Sequence, residues 1–166
     1  MKKISITLVA VILTILPVSH NFSSKKGINW MTFEQATKMV ESKPKKMLID
    51  VYTDWCGWCK RMDKTTYEDA SVIDYVNKNF YAVKLNAESA KTITFNSKSM
   101  TEQALSGQVF GVSGYPATVY LDEKSSVIGA VPGYWEAADF YKLNRYIAEN
   151  IYQKKISFEE YKASVK

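Results

Sequence analysis

The alternation of apolar and polar positions predicts short strands and amphipathic helices from residue 28 to the end of the chain. A strand at 28–30 comes first, followed by a helix that begins after Thr32 and ends at Lys43. The compact β-branched run at 47–53 then predicts a central strand in the core. One acid, Asp50, interrupts this run, which places a carboxylate in a buried strand.

The middle of the chain predicts a parallel crossover. We expect a helix from Met62 that bends or restarts near residues 69–71, where an apolar stripe with a spacing of four residues begins. A second strand follows at 81–86. Since a strand, a helix and a strand succeed one another, the strands at 47–53 and 81–86 are expected to pair in parallel.

The second half predicts an insertion, an antiparallel strand pair and a helical end. Residues 89–100 are polar with a short apolar alternation, which indicates an inserted loop or a small hairpin. Four elements follow the insertion: a short helix at 103–110, antiparallel strands at 117–121 and 127–130, and a helix at 136–154. Ser157 opens a last helical piece with a capping-box pattern.

The N-terminus has the pattern of an export signal. After the basic start, the apolar stretch at 4–18 spans about 22 Å as a helix, short of the roughly 30 Å of a bilayer core. We therefore interpret residues 1–24 as a signal peptide and linker with an uncertain cleavage point, and residues 25–166 as one domain. An uncleaved membrane anchor is the alternative. The protein is expected to be exported, to the periplasm or cell envelope, or secreted.

The charge of the chain argues against a nucleic-acid partner. The formal charge of +5 includes Lys2 and Lys3, and without them it is +3. The lysine runs at 25–26, 43–46 and 154–155 lie at the ends of predicted elements. Solvent-exposed charges at such ends account for them without a nucleic-acid or membrane-binding patch. We expect a monomer that contacts a membrane only through the N-terminal segment, if that segment is uncleaved.

The two cysteines form one Cys-x-x-Cys phrase, Cys56-Gly57-Trp58-Cys59. Structural disulfides of exported proteins normally close long loops, since these constrain the unfolded chain most, and a bridge here closes almost none. A zinc site needs about four ligands, and the only histidine, His20, lies beside the export signal. The pair therefore indicates a redox-active dithiol, and no metal or cofactor is expected.

Three separated phrases resemble the thioredoxin superfamily, of an exported bacterial type. Residues 50–60 resemble its active-site strand and helix start, 83–86 its following strand, and 110–118 the turn that holds its cis-proline. The resemblance covers about residues 46–151. It implies an α/β thioredoxin fold with a central mixed β-sheet flanked by helices, here with a small insertion and a C-terminal helical extension. Trp58 departs from the family pattern, because thioredoxins proper carry proline there.

The chemistry of the pair follows from its position before a helix. Unpaired N–H groups and the helix dipole at a helix N-terminus lower a thiol pKa from about 8.5 to roughly 3.5–7.5. We expect Cys56 to be the nucleophile and Cys59 the deeper, resolving thiol, with a disulfide between them when oxidised. The resemblance implies that Asp50 accepts the Cys59 proton and that Lys84 is its partner on the next strand. The alternatives are a structural ion pair or groups that reach solvent.

The resemblance also implies a substrate-binding surface around the dithiol. Tyr115 precedes Pro116, and the peptide bond between them is expected to be cis. The backbone of Tyr115 would pair with a substrate chain like an added strand. Trp55 and Trp58, with Gly57 between them, would form an apolar rim; the alternative for both indoles is packing against the helix.

These features predict a thiol–disulfide oxidoreductase of the cell envelope that reduces or isomerises protein disulfides through Cys56 and Cys59. Its substrates would be disulfides or dithiols of proteins or small molecules, and a redox partner that the sequence does not identify would recycle the pair. Gly57-Trp58 lacks the proline-histidine dipeptide of the strongly oxidising branch, which favours reduction. Two alternatives stay open: a metal-handling protein, and a redox-inactive binding module that acts through the insertion or the C-terminal extension.

Overall fold

The computed structural model describes residues 27–165, so the signal peptide and linker expected at 1–24 lie outside the described residues. In this range the strands are β1 (Trp30–Met31), β2 (Lys46–Tyr52), β3 (Phe80–Asn86), β4 (Thr92–Phe95), β5 (Lys98–Thr101), β6 (Ala117–Leu121) and β7 (Val127–Pro132). The helices are α1 (Phe33–Ser42), α2 (Gly57–Lys64), α3 (Ala70–Asn79), α4 (Glu102–Ala104), α5 (Ala137–Ala148) and α6 (Phe158–Ser164).

Five of these strands form one mixed sheet in the order β1-β3-β2-β6-β7. The parallel pairing of β2 with β3 confirms the predicted crossover, and β1 pairs in parallel with the outer edge of β3. Strand β6 is antiparallel to both β2 and β7. In these registers Asp50 on the central strand stands opposite Lys84 on β3 and opposite Thr118 on β6.

The central strand β2 separates two apolar layers. Met47, Ile49 and Val51 contribute to the layer that holds α1 and the β4–β5 hairpin. Leu48 contributes to the opposite layer, which includes residues of α2, α3 and α5. Because side chains alternate along a strand, Asp50 lies on the same face as Leu48. The carboxylate therefore lies on the side of the sheet where α2 packs.

The insertion at 89–100 forms the small hairpin that its pattern allowed. β4 and β5 pair antiparallel around Asn96 and Ser97, whose φ angles of 47° and 63° are typical of a tight hairpin turn. On its inner face Ile93 and Phe95 are buried against the α1 layer. The hairpin is thus an integral part of the core.

Helix α2 begins at Gly57, directly after Cys56 as the family resemblance implied, and five residues before Met62, where the apolar pattern began it. Its N-cap is Cys56, whose sulfur accepts a hydrogen bond from the backbone N–H of Cys59. Apolar periodicity missed this start because the sulfur caps the helix and because Gly57, Trp58 and Lys60 in the first turn are exposed, so no apolar stripe marks it. The predicted restart near 69–71 is confirmed: a short 3-10 turn, Thr66–Glu68, intervenes, and Asp69 caps α3.

The C-terminal helix is shorter than the predicted 136–154. Helix α5 ends at Ala148, since Asn150 adopts a left-handed conformation with φ of 56°. A 3-10 turn, Ile151–Lys154, then leads to α6, which the predicted capping box of Ser157 and Glu160 begins. Every helix in the described range is too short or too polar to span a bilayer.

Candidate active site

The two cysteines lie where the central strand passes into α2. β2 ends at Tyr52, and the N–H of Cys56 donates to the carbonyl of Thr53 at 3.1 Å, which closes the turn before the helix. Cys56 and Cys59 are joined by a disulfide, with their Cα atoms 5.3 Å apart. Each residue is 4% exposed, so whole-residue exposure does not separate the two in this oxidised form.

The start of α2 places one backbone N–H group against the Cys56 sulfur. That sulfur accepts the N–H of Cys59 at 3.1 Å. The same donor and the helix dipole favour negative charge on Cys56 once the disulfide is reduced. Gly57 is exposed, and a Cβ built on it would meet nothing within 4 Å, so space is open beside the pair.

A carboxylate is buried on the face of the sheet that α2 covers. Asp50 is 1% exposed. Its Oδ1 accepts the Tyr67 hydroxyl at 2.9 Å and its Oδ2 accepts Lys84 Nζ at 2.6 Å. Burial raises the pKa of the Asp50 carboxyl above its ordinary value, and the Lys84 cation and the Tyr67 hydrogen bond offset only part of this rise.

Lys84 links this carboxylate to α2. Its ammonium group also bonds Asp63, which lies four residues after Cys59 and therefore on the same side of the helix. Burial lowers the pKa of Lys84, but the charges of Asp50 and Asp63 outweigh this and raise it overall. We refer to Asp50, Asp63, Tyr67 and Lys84 as the carboxylate cluster.

Aromatic rings enclose the ammonium group of Lys84. Its nitrogen lies 4.7 Å from the ring centre of Trp30, 4.9 Å from that of Tyr67 and 5.5 Å from that of Tyr52. A cation over aromatic faces is stabilised by the ring quadrupoles. The cation that faces Asp50 is thus held from several sides, and the side chain of Lys84 stays 25% exposed.

The two indoles beside the cysteines are exposed, Trp55 at 66% and Trp58 at 55%. The Nε1 of Trp55 donates to the Glu88 carboxylate at 2.9 Å, and its ring meets that of Tyr115 edge-on, with centres 6.1 Å apart. The rings of Trp58 and Tyr134 lie 5.4 Å apart. We refer to Trp55 and Trp58 as the indole rim.

Arg61 packs beside Trp58, one of the two residues of the indole rim. Its guanidinium lies 5.2 Å from the ring centre of Trp58 and 5.3 Å from that of Tyr134. The Tyr134 hydroxyl is 3.1 Å from the hydroxyl of Thr65, just beyond α2. Both indoles are therefore oriented by residues of other elements while their faces remain accessible to a partner.

The turn before β6 contains the cis Tyr115–Pro116 bond that was expected. Pro116 is buried, and its carbonyl accepts the N–H of Gly133 at 2.8 Å. Tyr115 is half-buried against Trp55. The chain thus brings Tyr115, 60 positions after Trp55, to the edge of the indole rim.

Four contributors to this site had no signal in the sequence: Asp63, Tyr67, Glu88 and Tyr134. Tyr67 reads as a core aromatic, and its contact with Asp50 spans 17 positions. The contact of Glu88 with Trp55 joins residues 33 positions apart in the sequence. Within residues 27–165, no three His, Cys, Asp or Glu side chains are grouped so that they could hold a metal ion.

Comparisons with known proteins agree with this geometry. A family model described as a thioredoxin-like domain matches residues 33–148. The thiol:disulfide interchange protein DsbD of Pseudoalteromonas atlantica is 26% identical over an alignment of 111 residues that covers 65% of this chain. The chain spans only 17% of the length of that relative. A dithiol in a chain similar to such a protein supports thiol–disulfide exchange.

Solved structures show the same fold. A thioredoxin-fold protein from Helicobacter pylori superposes with a TM-score of 0.61 at 22% identity, over 73% of this chain and 80% of that one. The oxidised C-terminal domain of DsbD from Neisseria meningitidis gives 0.51 at 22% identity, over 66% and 87%. Because the family model matches well over half of its residues, the chain belongs to the thioredoxin-like family.

Proposed function

We propose that the protein is a thiol–disulfide oxidoreductase whose reactive groups are Cys56 and Cys59. The observation that carries this proposal is the disulfide at the N-terminus of α2, where the Cys56 sulfur caps the helix. A purely structural bridge across three residues would constrain the unfolded chain very little. The similarity to a thiol:disulfide interchange protein supports the same chemistry.

In the reducing direction the reaction starts from the dithiol. The Cys56 thiolate attacks one sulfur of a substrate disulfide, so a Cys56–substrate bond forms and the substrate S–S bond breaks. The second substrate sulfur leaves as a thiolate. The N–H groups at the start of α2 favour this step, because they stabilise Cys56 in its ionised, nucleophilic form.

The second step frees the substrate. Cys59 loses its proton and attacks the Cys56 sulfur, so the Cys56–Cys59 disulfide forms and the mixed disulfide breaks. Two electrons have then passed from the dithiol to the substrate. We assign Asp50 as the acceptor of the Cys59 proton, because its burial raises its pKa toward the range that suits proton transfer. Lys84 stabilises its ionised form.

The substrate is held by the surface around the disulfide. Trp55, Trp58 and the open space at Gly57 present an apolar contact area, and exposed tryptophans are frequent anchors at protein interfaces. The backbone of Tyr115, before Pro116, pairs with an extended substrate segment. This arrangement favours a peptide disulfide over a small, fully hydrophilic one.

The proposed setting is the cell envelope. The export signal expected at 1–24 supports it, and so does the similarity to DsbD. In that setting the protein reduces or isomerises substrate disulfides, and a partner dithiol supplies the two electrons that regenerate Cys56 and Cys59.

Reduction of insulin in the presence of dithiothreitol tests the proposal. We expect Cys56→Ser to lose activity down to the uncatalysed rate, since the attacking sulfur is gone. Cys59→Ser should also lose turnover but should accumulate mixed disulfides through Cys56, which separates the two roles.

The exposed Met39→Ala is a matched surface control that should retain full activity. Insulin reduction by Cys56→Ser at the rate of the unchanged protein would contradict the proposal. If the double variant Cys56→Ser/Cys59→Ser fully complements a strain that lacks the protein, the result would instead favour a binding module on this fold.

A further inference from the structure

The hydroxyl of Tyr67 is the neutral donor to the buried carboxylate. It lies in the 3-10 turn Thr66–Glu68 and donates to Asp50 Oδ1 at 2.9 Å, while Lys84 occupies Oδ2. Tyr67 is 3% exposed. The two carboxylate oxygens thus have different partners. Oδ2 bonds the partly exposed ammonium group of Lys84, and Oδ1 bonds the phenol of Tyr67, which is enclosed in the core.

The ring that carries this hydroxyl is tightly held. It packs edge-on against Trp30 with centres 5.0 Å apart and against Phe140 at 5.7 Å. The preceding residue, Thr66, is fully buried and its hydroxyl donates to the carbonyl of Trp135. Contacts from β1, α5 and the segment before α5 therefore fix where the phenol points.

Tyr67 keeps its proton over the working range of the protein. Burial first, and then the charge of Asp50, raise the pKa of its hydroxyl well above the ordinary value. Tyr67 is therefore a neutral hydroxyl that donates to Asp50. The ionised carboxylate, whose oxygens carry no proton, is the form of Asp50 that this bond favours.

The other titratable groups around Asp50 come from several elements. Lys84 faces it from β3 and Asp63 from α2, and Tyr52 lies on β2 itself. On β6, Thr118 stands opposite Asp50 and carries no charge, and Tyr120 donates its hydroxyl to Asn144 at 3.2 Å. Among these, Tyr67 is the one neutral donor that bonds the carboxylate directly.

We propose that Tyr67 is a positioning residue for the proton acceptor: its hydroxyl holds Asp50 Oδ1 and favours the ionised carboxylate at the moment when Cys59 loses its proton. This inference rests on the proposed function, because it has a consequence for catalysis only if Asp50 accepts that proton. Tyr67 itself does not touch the reacting sulfurs in this role.

Removal of the hydroxyl has a consequence of known sign. Tyr67→Phe takes away a bond to the charged form of Asp50, so the carboxylate accepts a proton more readily and its pKa rises. The rate of the Cys59 step, which needs the ionised carboxylate, then requires higher pH. We expect the rising limb of its pH profile to move up by about one pH unit, with about a tenfold slower rate below the midpoint and little change above it.

The measurement is single-turnover reduction of 5,5′-dithiobis(2-nitrobenzoate) by the fully reduced protein. Cys56 releases the first nitrothiobenzoate as it forms the mixed disulfide, and Cys59 releases the second as it closes the Cys56–Cys59 bond. Both phases are followed from about pH 5 to about pH 9. We expect Tyr67→Phe to shift the second phase and to leave the first unchanged.

Tyr120→Phe is the matched control. It removes the same atom from another fully buried tyrosine, whose hydroxyl bonds Asn144 and not Asp50. Its second phase should follow the profile of the unchanged protein. An unshifted profile in Tyr67→Phe would overturn the inference, and so would an equal shift in Tyr120→Phe, since that would make the effect one of packing.

Two further variants keep the inference testable. Replacement of Tyr67 by 3-fluorotyrosine retains the ring and makes the hydroxyl a stronger donor, so the rising limb of the pH profile should move to lower pH. No movement, or a move to higher pH, counts against the proposal.

Asp50→Asn separates the role of Asp50 as proton acceptor from the role of Tyr67 as its positioning residue. If it leaves the second phase at its normal rate, both the proton-acceptor role and the present inference fail. If it slows that phase while Tyr67→Phe shifts nothing, only the inference about Tyr67 fails.

Discussion

The indole rim flanks the cysteines along the chain, whereas the carboxylate cluster is centred on the sheet face where α2 packs, and the two regions differ in almost every physical respect. Trp55 and Trp58 are apolar and more than half exposed. Asp50 is charged in its working form and is 1% exposed. Exposed apolar area is available for a partner to bury, whereas a buried carboxylate is costly to the fold and persists only with its hydrogen-bond partners.

This difference assigns separate tasks to the two regions. Substitutions in the rim should alter how tightly a substrate associates and leave the fold almost unchanged. Substitutions in the cluster should alter the proton-transfer step and the stability of the protein together, because the interactions that tune Asp50 are the same ones that keep it in the core.

The largest effect should come from Asp50→Asn. We expect the Cys59 step to slow by about 10²- to 10⁴-fold, the usual range for the loss of a general base. At the same time the free energy of unfolding at neutral pH should rise by on the order of 1 kcal/mol, because the variant has no buried carboxylate to ionise.

The sign of that stability change follows from the raised pKa of Asp50 in the folded protein. The folded state binds the Asp50 proton more tightly than the unfolded chain does, so this stabilisation is complete below the ordinary pKa of 3.8 and is lost as the pH rises through the folded value. Urea unfolding at acidic and neutral pH measures it. An Asn variant that is less stable than the unchanged protein at neutral pH would break the distinction between rim and cluster.

A smaller effect is expected from Lys84→Gln. The ionised Asp50 then loses its cation, and we expect the free energy of unfolding at neutral pH to fall by about 1–3 kcal/mol, less than for a fully buried pair because the lysine side chain is 25% exposed. The double variant with Asp50→Asn should recover most of this loss, since no buried charge remains. If the effects of the two substitutions on the free energy of unfolding simply add in the double variant, Lys84 acts on the fold independently of Asp50.

The smallest effects should come from the rim. Trp55→Ala and Trp58→Ala should raise KM for a protein disulfide by about three- to tenfold with kcat nearly unchanged, because each removes apolar contact area from association only. Val127→Ala, which truncates an exposed apolar side chain on β7, is the control and should change neither constant. A loss of kcat without a change in KM would show that these indoles act in the chemical step, like the carboxylate cluster, and not in substrate association.

The sequence predicts the framework of this site well where local patterns determine it. The continuous β-branched run identified β2, and Thr32 caps α1 as expected. The resemblance supplied the cis bond before Pro116. These features depend on neighbours in the chain or on a turn characteristic of the family, so they can be read without knowledge of the tertiary structure.

The parts that were missed depend on contacts between distant residues. The apolar pattern alone missed the start of α2, which the family resemblance supplied. That start depends on a sulfur atom that accepts a backbone N–H, and cysteine is not among the residues that normally signal an N-cap. The bond from Tyr67 to Asp50 joins a 3-10 turn to the central strand, and nothing in the segment around Tyr67 distinguishes it from an ordinary core aromatic. The anchors of the rim, Glu88 and Tyr134, come from loops whose paths are set by the fold.

The most direct test of the redox role is the equilibrium between the Cys56–Cys59 disulfide and glutathione buffers of known ratio. A thioredoxin-like exchange centre should reduce and reoxidise reversibly, with a potential between about −270 and −120 mV and toward the reducing end of that range. A pair that stays oxidised throughout, as structural disulfides with potentials below about −300 mV do, would contradict the role of Cys56 and Cys59 as an exchanging dithiol.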